Sequence, residues 1–416
     1  MTALRLLLLG ILALLLISAA REGVAAYYIH QNTSAALQSA IRWDPTNPVY
    51  PATAASLLHL YGDDPDPHGV IGLYQTALRL SPFDAAYSAN LAQVYEWAGQ
   101  PTLAATCFRR ALTLFPNSPQ IDWQVANFYV RSGNTSEALP LLRRVLSSNL
   151  IPKNQIFALT SNARVDSATV VNDLLPDEST AIVSYLNFQV DRNNTIAAQK
   201  AWDRLVQFHS SFEINQTFHY LDSLIQSRDL ARASQSWSSV LARFPSLIPS
   251  PASRDNLVEN GNFQAGVLNG GFDWRVNPVQ GVTVTRESEG PPTGVNHSLR
   301  INFDGSQNLY YDAVAQFVPV EPNTKYDFSA SLRTAGITTD SGLSLQLADA
   351  YDPVKMFGAT DPVLDTTPWS QHKFSFITGS NTHLLLLTVV RKPSHKFDAN
   401  LAGTFWFSQV ALTSHQ

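Results

Sequence analysis

The feature that most constrains the fold is a repeat of 34 residues in the first half of the chain. Aromatic, glycine and small residues recur at this interval, for example Tyr95 and Tyr129, and Gly99 and Gly133. Within each copy the apolar residues are spaced by three or four, which predicts two helices, and the glycine predicts the turn between them. The other matching positions are Leu91, Ala104, Phe108, Ala111 and Pro116 in one copy, Val125, Ala138, Leu142 and Val145 in the next, and Leu57, Tyr61, Tyr74, Ala77 and Pro82 in the copy before.

A helix pair of this length, with a glycine turn and a closing proline, resembles the tetratricopeptide repeat. We therefore expect an all-α solenoid of five to six helical hairpins over residues 30–246, with an irregular or distorted helix pair at 149–177. Repeat proteins of this kind bind partners on an extended concave surface. The first-helix residues that we expect to line that surface and hold a protein partner are Asn90, Gln93, Glu96, Gln124 and Asn127.

Residues 1–22 have the pattern of a signal peptide or of a membrane anchor. Arg5 precedes an apolar run from Leu6 to Ile17, and the small residues Ser18-Ala19-Ala20 follow before charged Arg21. The run is shorter than the roughly 20 residues that span a bilayer, although the next residues are also mostly apolar. Cleaved signal and uncleaved anchor both stay open, and both predict an extracytoplasmic protein of the periplasm or cell envelope, secreted or N-terminally anchored.

The charge argues against a nucleic-acid partner, and the cysteine content excludes an intrachain disulfide. The chain has 28 Lys and Arg against 33 Asp and Glu, a net charge of −5, and neither half is basic, so nucleic acid is not an expected partner. The single cysteine, Cys107, allows no intrachain disulfide. Because it lies inside a repeat helix, we expect a buried, unreactive thiol.

The second half has the texture of a β-sandwich. A Pro- and Ser-rich segment, 247–255, predicts a stiff linker. Beyond it, short alternating runs separated by turn residues predict eight or nine antiparallel strands in a jelly roll over residues 256–416. The chain is thus expected to be a multidomain α + β protein. The predicted strands are 282–286, 298–303, 313–320, 326–332, 343–347, 373–378, 384–390 and 404–412.

This half resembles the galactose-binding-like jelly rolls of carbohydrate-binding modules grouped with cellulose-binding protein C. The resemblance rests on an ordered series of short motifs, from Asn260-Gly261-Asn262-Phe263 and Phe272-Asp273-Trp274 to Phe405-Trp406-Phe407. It implies a domain that binds polysaccharide. It also implies a structural calcium held by acidic residues at two positions, but these are Gln264 and Ser408 here, so calcium is disfavoured and no cofactor or metal is expected.

A sugar site needs flat aromatic faces and planar polar side chains on an accessible surface. Trp274, Trp369 and Trp406 occupy motif positions and are interpreted as core residues. Strand alternation places Arg333 and Gln346 on polar faces. The complete set of candidate carbohydrate-binding residues is Tyr310, Tyr311, Arg333, Gln346, Tyr351 and Arg391.

The sequence lacks the common signatures of catalysis. It has no Gly-x-Ser-x-Gly, His-Glu-x-x-His or Cys-x-x-Cys motif and no phosphate-binding glycine loop. The acidic stretch from Asp63 to His68 is interpreted as a solvated turn. The leading hypothesis is a non-enzymatic adaptor whose solenoid binds a protein and whose sandwich binds a polysaccharide. The alternatives are a structural scaffold that binds no sugar and a sugar-processing enzyme.

Overall fold

The computed structural model describes residues 2–31, 33–61, 66–207, 212–245, 255–292, 297–397 and 399–414. The chain forms two compact units, Met1–Tyr185 and Leu186–Gln416. Most of the predicted linker and residues 63–65 of the acidic stretch lie outside the described residues.

Helices occupy the chain as far as Arg243, as the repeat pattern predicts. Those described are α1 (Thr2–Ile29), α2 (Ser34–Trp43), α3 (Val49–Tyr61), α4 (Pro67–Leu80), α5 (Ala85–Trp97), α6 (Pro101–Leu114), α7 (Pro119–Arg131), α8 (Thr135–Ser148), α9 (Lys153–Asn162), α10 (Ser167–Thr169), α11 (Ser179–Asp191), α12 (Thr195–Gln207), α13 (Phe218–Gln226) and α14 (Leu230–Arg243).

The repeat positions do what their residue types predict. Gly99 and Gly133 have φ values of 71° and 77°, the left-handed conformation that ends a first helix without a Cβ clash. Ala104 and Ala138 are fully buried where the second helix crosses the first. The alanines allow the close approach, so the 34-residue period is confirmed as a helix–turn–helix period.

The expected distorted region is also confirmed. After α9 the chain makes only one turn of α-helix at α10 and continues as a π-helical turn, Val170–Leu174. Val170 and Leu174 are nonetheless buried, so the wider turn keeps apolar side chains inward where the regular period is lost.

The second half is an antiparallel sandwich, as predicted, but its described residues form two five-stranded sheets instead of the expected eight or nine strands. The first sheet has the order β1-β4-β9-β6-β7 and the second β2-β3-β10-β5-β8. The strands are β1 (Arg275–Val276), β2 (Val282–Glu287), β3 (Ser298–Asp304), β4 (Tyr311–Pro319), β5 (Lys325–Ile337), β6 (Ser344–Asp349), β7 (Asp352–Ala359), β8 (Asp365–Ile377), β9 (Leu384–Arg391) and β10 (Ala402–Ser414).

The core between the sheets is built from the apolar positions of the alternating runs. Trp274, Phe263 and Phe407 form its aromatic centre, with ring centroids 5.1 to 5.5 Å apart. Tyr326, Phe328 and other inward residues of the second sheet extend it.

Strands β1 and β7 and the first part of β8, residues 365–372, were not predicted. β7 is one edge strand of the first sheet, and it contains Pro353 and Gly358, which weaken the strand pattern in the sequence. Gly358 is needed because a Cβ there would lie 2.3 Å from the ring of Phe374. No side chain of β7 is fully buried, so its sequence shows little alternation to detect.

Within the second compact unit, α13 and α14 pack directly on the sandwich. Arg275 of β1 makes two hydrogen bonds of 2.6 and 3.1 Å to Asp222 of α13. A Cβ on Gly271 would lie 2.4 Å from Trp237 of α14. The last helical hairpin and the sandwich are therefore parts of one body.

Candidate functional site

The outer face of the second sheet, which points away from the first sheet, carries a half-buried tryptophan. Phe405 and Phe407 of β10 are fully buried in the core, so Trp406 between them points outward. In the strand register Trp406 lies between Arg300 of β3 and Arg333 of β5. The aromatic ring is thus flanked by a guanidinium on each side.

Five residues form what we call the Trp406 cluster: Trp406, Arg300, Arg333, Glu287 and Glu289. The guanidinium carbon of Arg333 lies 4.7 Å from the Trp406 ring centroid, and that of Arg300 lies 5.9 Å away. The indole Nε1 donates a 2.9 Å hydrogen bond to Glu287. Arg300 and Arg333 pair with Glu287 at 3.3 Å and Glu289 at 2.8 Å. These contacts hold the indole in one orientation.

A polar cavity lies farther along β5, about 20 Å from Arg333 at its far end. Asp327 and Ser329 are partly exposed there, whereas Ser331, between them and Arg333, is buried and donates to Gln409 at 2.7 Å. Asp327 and Ser329 line a cavity of about 500 Å³. It is lined by Asp327, Phe328, Ser329, Lys373, Phe374, Ser375, Ala411 and Thr413.

This face combines the parts that a sugar site requires. A fixed, half-buried indole supplies an aromatic ring, part of which the two guanidinium groups cover, and the guanidinium and carboxylate groups can exchange hydrogen bonds with hydroxyls. A larger cavity of about 520 Å³ lies between α14 and the sandwich, lined in part by Leu257, Tyr326 and His383. That cavity has no tryptophan in its lining.

The structure separates the residues that the sequence proposed as one sugar site. Arg333 lies in the Trp406 cluster, whereas Gln346 lies on β6 of the first sheet, where its Nε2 donates to Ser344 at 3.3 Å. Tyr310, in the loop before β4, is 55% exposed. Sugar binding by Arg333, Gln346 and Tyr310 stays a prediction, but they do not share one surface.

The expected exposure of Tyr311 and Arg391 is wrong. Tyr311 is 1% exposed and packs against Phe303, with ring centroids 5.2 Å apart. Arg391 is fully buried, and its guanidinium donates to the Asn308 side chain and the Leu309 carbonyl at 2.8 and 2.6 Å. Further acceptors are Ser341, Thr339 and Ala399. The position of Arg391 near a strand end suggested exposure, but it could not show that loops cover the guanidinium group.

Tyr351 was predicted to be available to a ligand, but it lies at the contact between the sandwich and α13. Its hydroxyl donates to the carbonyl of Ile225, and the guanidinium of Arg228 lies 4.5 Å from its ring centroid. Both partners belong to the helical hairpin of the second unit. No local pattern in the sequence predicts this contact, because 126 residues separate the two groups.

The core interpretation holds for one tryptophan of three. Trp274 is fully buried, but Trp406 and Trp369 are only half-buried. The signal for Trp406 was present in the sequence: in Phe405-Trp406-Phe407 a strand can bury either the two phenylalanines or the tryptophan, and two rings outweigh one.

The proposed protein-binding residues of the solenoid are all partly exposed. Asn90 and Gln124 are 34 residues apart, as are Gln93 and Asn127, so the repeat places carboxamides at equivalent positions of α5 and α7. Glu96 is not free, because Arg131 forms two 2.8 Å hydrogen bonds with it. Asn127 donates to the Trp123 carbonyl at 2.7 Å.

The two positions at which the resemblance implies calcium-binding acids are the neutral residues Gln264, which is exposed, and Ser408. Ser408 is fully buried and donates to the carbonyl of His297, while Arg286 donates to the carbonyls of Phe263 and Gln264 at 2.6 and 2.7 Å. Among the described residues no three His, Cys, Asp or Glu side chains gather as a metal site.

Cys107 is half-buried, and burial raises the pKa of its thiol.

Comparison with solved structures gives low-identity likenesses to each half, and no curated protein matches the sequence. The chain is 17% identical to TmCBM61 in complex with β-1,4-galactotriose, over 39% of this chain and all of that one, with a TM-score of 0.29. It is 11% identical to Pseudomonas aeruginosa PilF over 55% of this chain and 92% of that one, with a TM-score of 0.28.

A third likeness, with 12% identity and a TM-score of 0.29, is to the enzymatically active domain of tailspike protein 4 of bacteriophage CBA120. It involves 39% of this chain and spans only 22% of the tailspike domain. Residues 71–119, which include α5 and α6 and most of α4, match the model of the tetratricopeptide repeat family.

Proposed function

We propose that this chain is an exported, non-catalytic adaptor that binds a polysaccharide on the outer face of the second sheet and a protein partner on its helical repeats. The observation that carries the proposal is the half-buried indole of Trp406, held between Arg300 and Arg333 on the outer face of the second sheet. The proposed place of action is the cell envelope, in the assembly or secretion of an exopolysaccharide.

The Trp406 cluster suits a neutral or weakly charged sugar chain. A pyranose ring can stack its C–H face on the part of the indole that Arg300 and Arg333 leave uncovered, and the hydrogen bond to Glu287 already fixes the indole. Fixing the ring before binding lowers the entropy lost on association. The cluster contains two cations and two anions, so it carries hydrogen-bonding groups without a strong net charge.

The sugar site is tested with the full chain by affinity electrophoresis through gels that contain β-glucan, galactan, xylan or alginate. We expect one polymer to retard the wild type, and Trp406→Ala to weaken that binding at least tenfold, about 1.4 kcal/mol. Tyr310→Ala tests a site in the loops instead, because this exposed aromatic lies in a loop outside the cluster. Loss of binding in Tyr310→Ala with Trp406→Ala unaffected would move the site to the loops.

The protein-binding surface is supported by the carboxamide pairs of α5 and α7. An amide side chain can donate to and accept from a peptide group at once, so repeated carboxamides suit an extended peptide whatever its sequence. Affinity of the full chain for an array of unstructured peptides is the test. Asn90→Ala with Gln124→Ala should remove binding, whereas Thr106→Ala with Thr113→Ala, on exposed positions of α6, should leave it unchanged.

The scaffold alternative makes the opposite prediction for sugars. If every polysaccharide fails to retard the wild-type chain while peptide binding depends on Asn90 and Gln124, the sandwich is a contact domain without a sugar ligand. Release of reducing ends from any polymer would instead indicate an enzyme.

A further inference from the structure

Helix α1 is a single continuous helix with two different surroundings. The side chains from Leu7 to Ile17 are exposed on every side; Leu14 is 69% exposed, for example. The segment Leu7–Ile29 has a mean hydropathy of 2.0. A ring of exposed leucines is costly in water, so this part of the helix needs an apolar environment that the described protein does not provide.

The last turns of α1 are part of the repeat domain. Ala25 is fully buried in a small core with Ala40 of α2 and Tyr50 of α3. Tyr28 and Ile29 pack on the same core. The segment from Arg21 to Ile29 therefore acts as the first helix of the first hairpin, and α2 is the second.

A side-chain contact fixes this hairpin at the point where the apolar stretch ends. The Nε of Arg21 donates a 2.9 Å hydrogen bond to the carbonyl of Trp43. Trp43 is the last residue of α2, whose final carbonyls lack partners within the helix. Arg21 thus caps α2 from the end of the exposed stretch.

The small residues that could mark a cleavage site lie in the middle of this helix. Ser18, Ala19 and Ala20 are helical, and the Ser18 hydroxyl donates to Glu22 across the position after Ala20. Cleavage after Ala20 would require local unwinding. It would also leave the first N–H groups of the remaining helix without their carbonyl partners one turn earlier.

We propose that α1 is an uncleaved single-pass membrane anchor that passes without a linker into the first repeat. A lipid bilayer is the apolar environment that surrounds its exposed stretch. From Arg5 to Arg21 the helix rises about 24 Å, somewhat less than a hydrocarbon core of about 30 Å, and Arg5 can extend its side chain to the interface, while Arg21 is held at the carbonyl of Trp43. The first hairpin then stands at the lipid surface, with Arg21 and Glu22 at the boundary.

The lipid environment of α1 is tested with the full chain in native membrane vesicles that have been opened, so that a reagent reaches both membrane surfaces. In a Cys107→Ala background, one variant carries Leu14→Cys and its matched control carries Gln31→Cys. We expect a membrane-impermeant maleimide to label Gln31→Cys and to label Leu14→Cys only after SDS. The protein leaves the Leu14 side chain exposed, so protection there can come only from lipid. Intact mass should show that the residues before Arg21 are retained.

Each other outcome overturns the proposal. A chain that begins at Arg21, with no thiol in the Leu14→Cys variant even in SDS, indicates a cleaved signal sequence. Labelling of Leu14→Cys in the opened vesicles before SDS is added, or release of the chain by alkaline carbonate, indicates a helix that does not cross the bilayer.

The continuity of the helix has its own test. Three glycines inserted between Ala20 and Arg21 should keep the chain in the membrane but speed amide hydrogen exchange in α2 at least tenfold, because the first hairpin loses its helical support. Three alanines inserted at the same point are the control, since they preserve the helix. Equal exchange rates in the two variants would refute the shared helix.

Discussion

Asp273 provides a test of the energetics of the second unit, because it is a carboxyl group buried beside the joint between helices and sandwich. It is 2% exposed, and burial raises its pKa from 3.8 to about 7, with the nearby charge of Glu259 acting in the same direction. Its Oδ2 accepts a 2.7 Å hydrogen bond from the amide of Leu268. Its Oδ1 is buried without a hydrogen-bond partner in the described part of the chain.

The raised pKa sets the direction of the pH dependence. Below about pH 4 Asp273 is protonated in both states and its full contribution to stability is present. As the pH rises further, the unfolded chain releases the proton first, so the free energy of unfolding falls until the folded group ionises near pH 7. At about 1.4 kcal/mol for each pKa unit, the loss between pH 4 and pH 8 is about 4 kcal/mol.

Asp273→Asn removes this dependence, because the amide oxygen can still accept from Leu268 and no charge is buried. We expect the variant to equal the wild type at pH 4 and to be more stable at pH 8 by up to about 4 kcal/mol. Hydrogen exchange of amides in β4 and β9, corrected for the intrinsic rate at each pH, measures the opening of this unit alone. Asp352→Asn, at an exposed position of β7, is the control and should change nothing. A difference in stability between wild type and Asp273→Asn that does not grow between pH 5 and 7 would refute the reasoning.

Three further predictions concern single positions. Gly271→Ala should destabilise the second unit by about 2 kcal/mol or more in the same exchange measurement, because the new Cβ meets Trp237 at 2.4 Å and φ is +58°. Arg391→Met should cost at least about 3 kcal/mol, since several buried oxygen acceptors lose their donor, and Arg391→Lys should recover only part of that loss. Cys107 should react with a thiol reagent at pH 8 at least tenfold more slowly than the denatured chain, because burial raises its pKa; equal rates would show an accessible thiolate.

The sequence predicted the elements well where side-chain period and backbone need coincide. Gly99 and Ala104 recur after 34 residues because the helix turn needs positive φ and the helix crossing needs a small side chain, and both causes are local. The sandwich strands followed for the same reason, since alternation reflects a buried and an exposed face. Strand β7 was not predicted because none of its side chains is fully buried, so its sequence does not alternate between apolar and polar residues.

The candidate site was harder to predict, because exposure depends on what folds over a residue. Alternation places Arg333 outward correctly, but it cannot show that loops enclose Arg391 or that α13 takes the hydroxyl of Tyr351. Trp406 was missed because large aromatics are usually core residues. The parity of its strand was the better guide, since the two neighbouring phenylalanines both need burial.

The joint in the second unit bears on how the sandwich should be studied. Phe218 and Trp237 fit against Gly270 and Gly271, and a Cβ on either glycine would overlap a ring. Glycine at both positions makes room for helices that a sandwich cut at residue 252 would lack. Such a fragment would expose the loop 268–274, which also holds Asp273 and the core residue Trp274. The last hairpin is therefore a structural part of the sandwich, and sugar binding measured without it would report on a different protein.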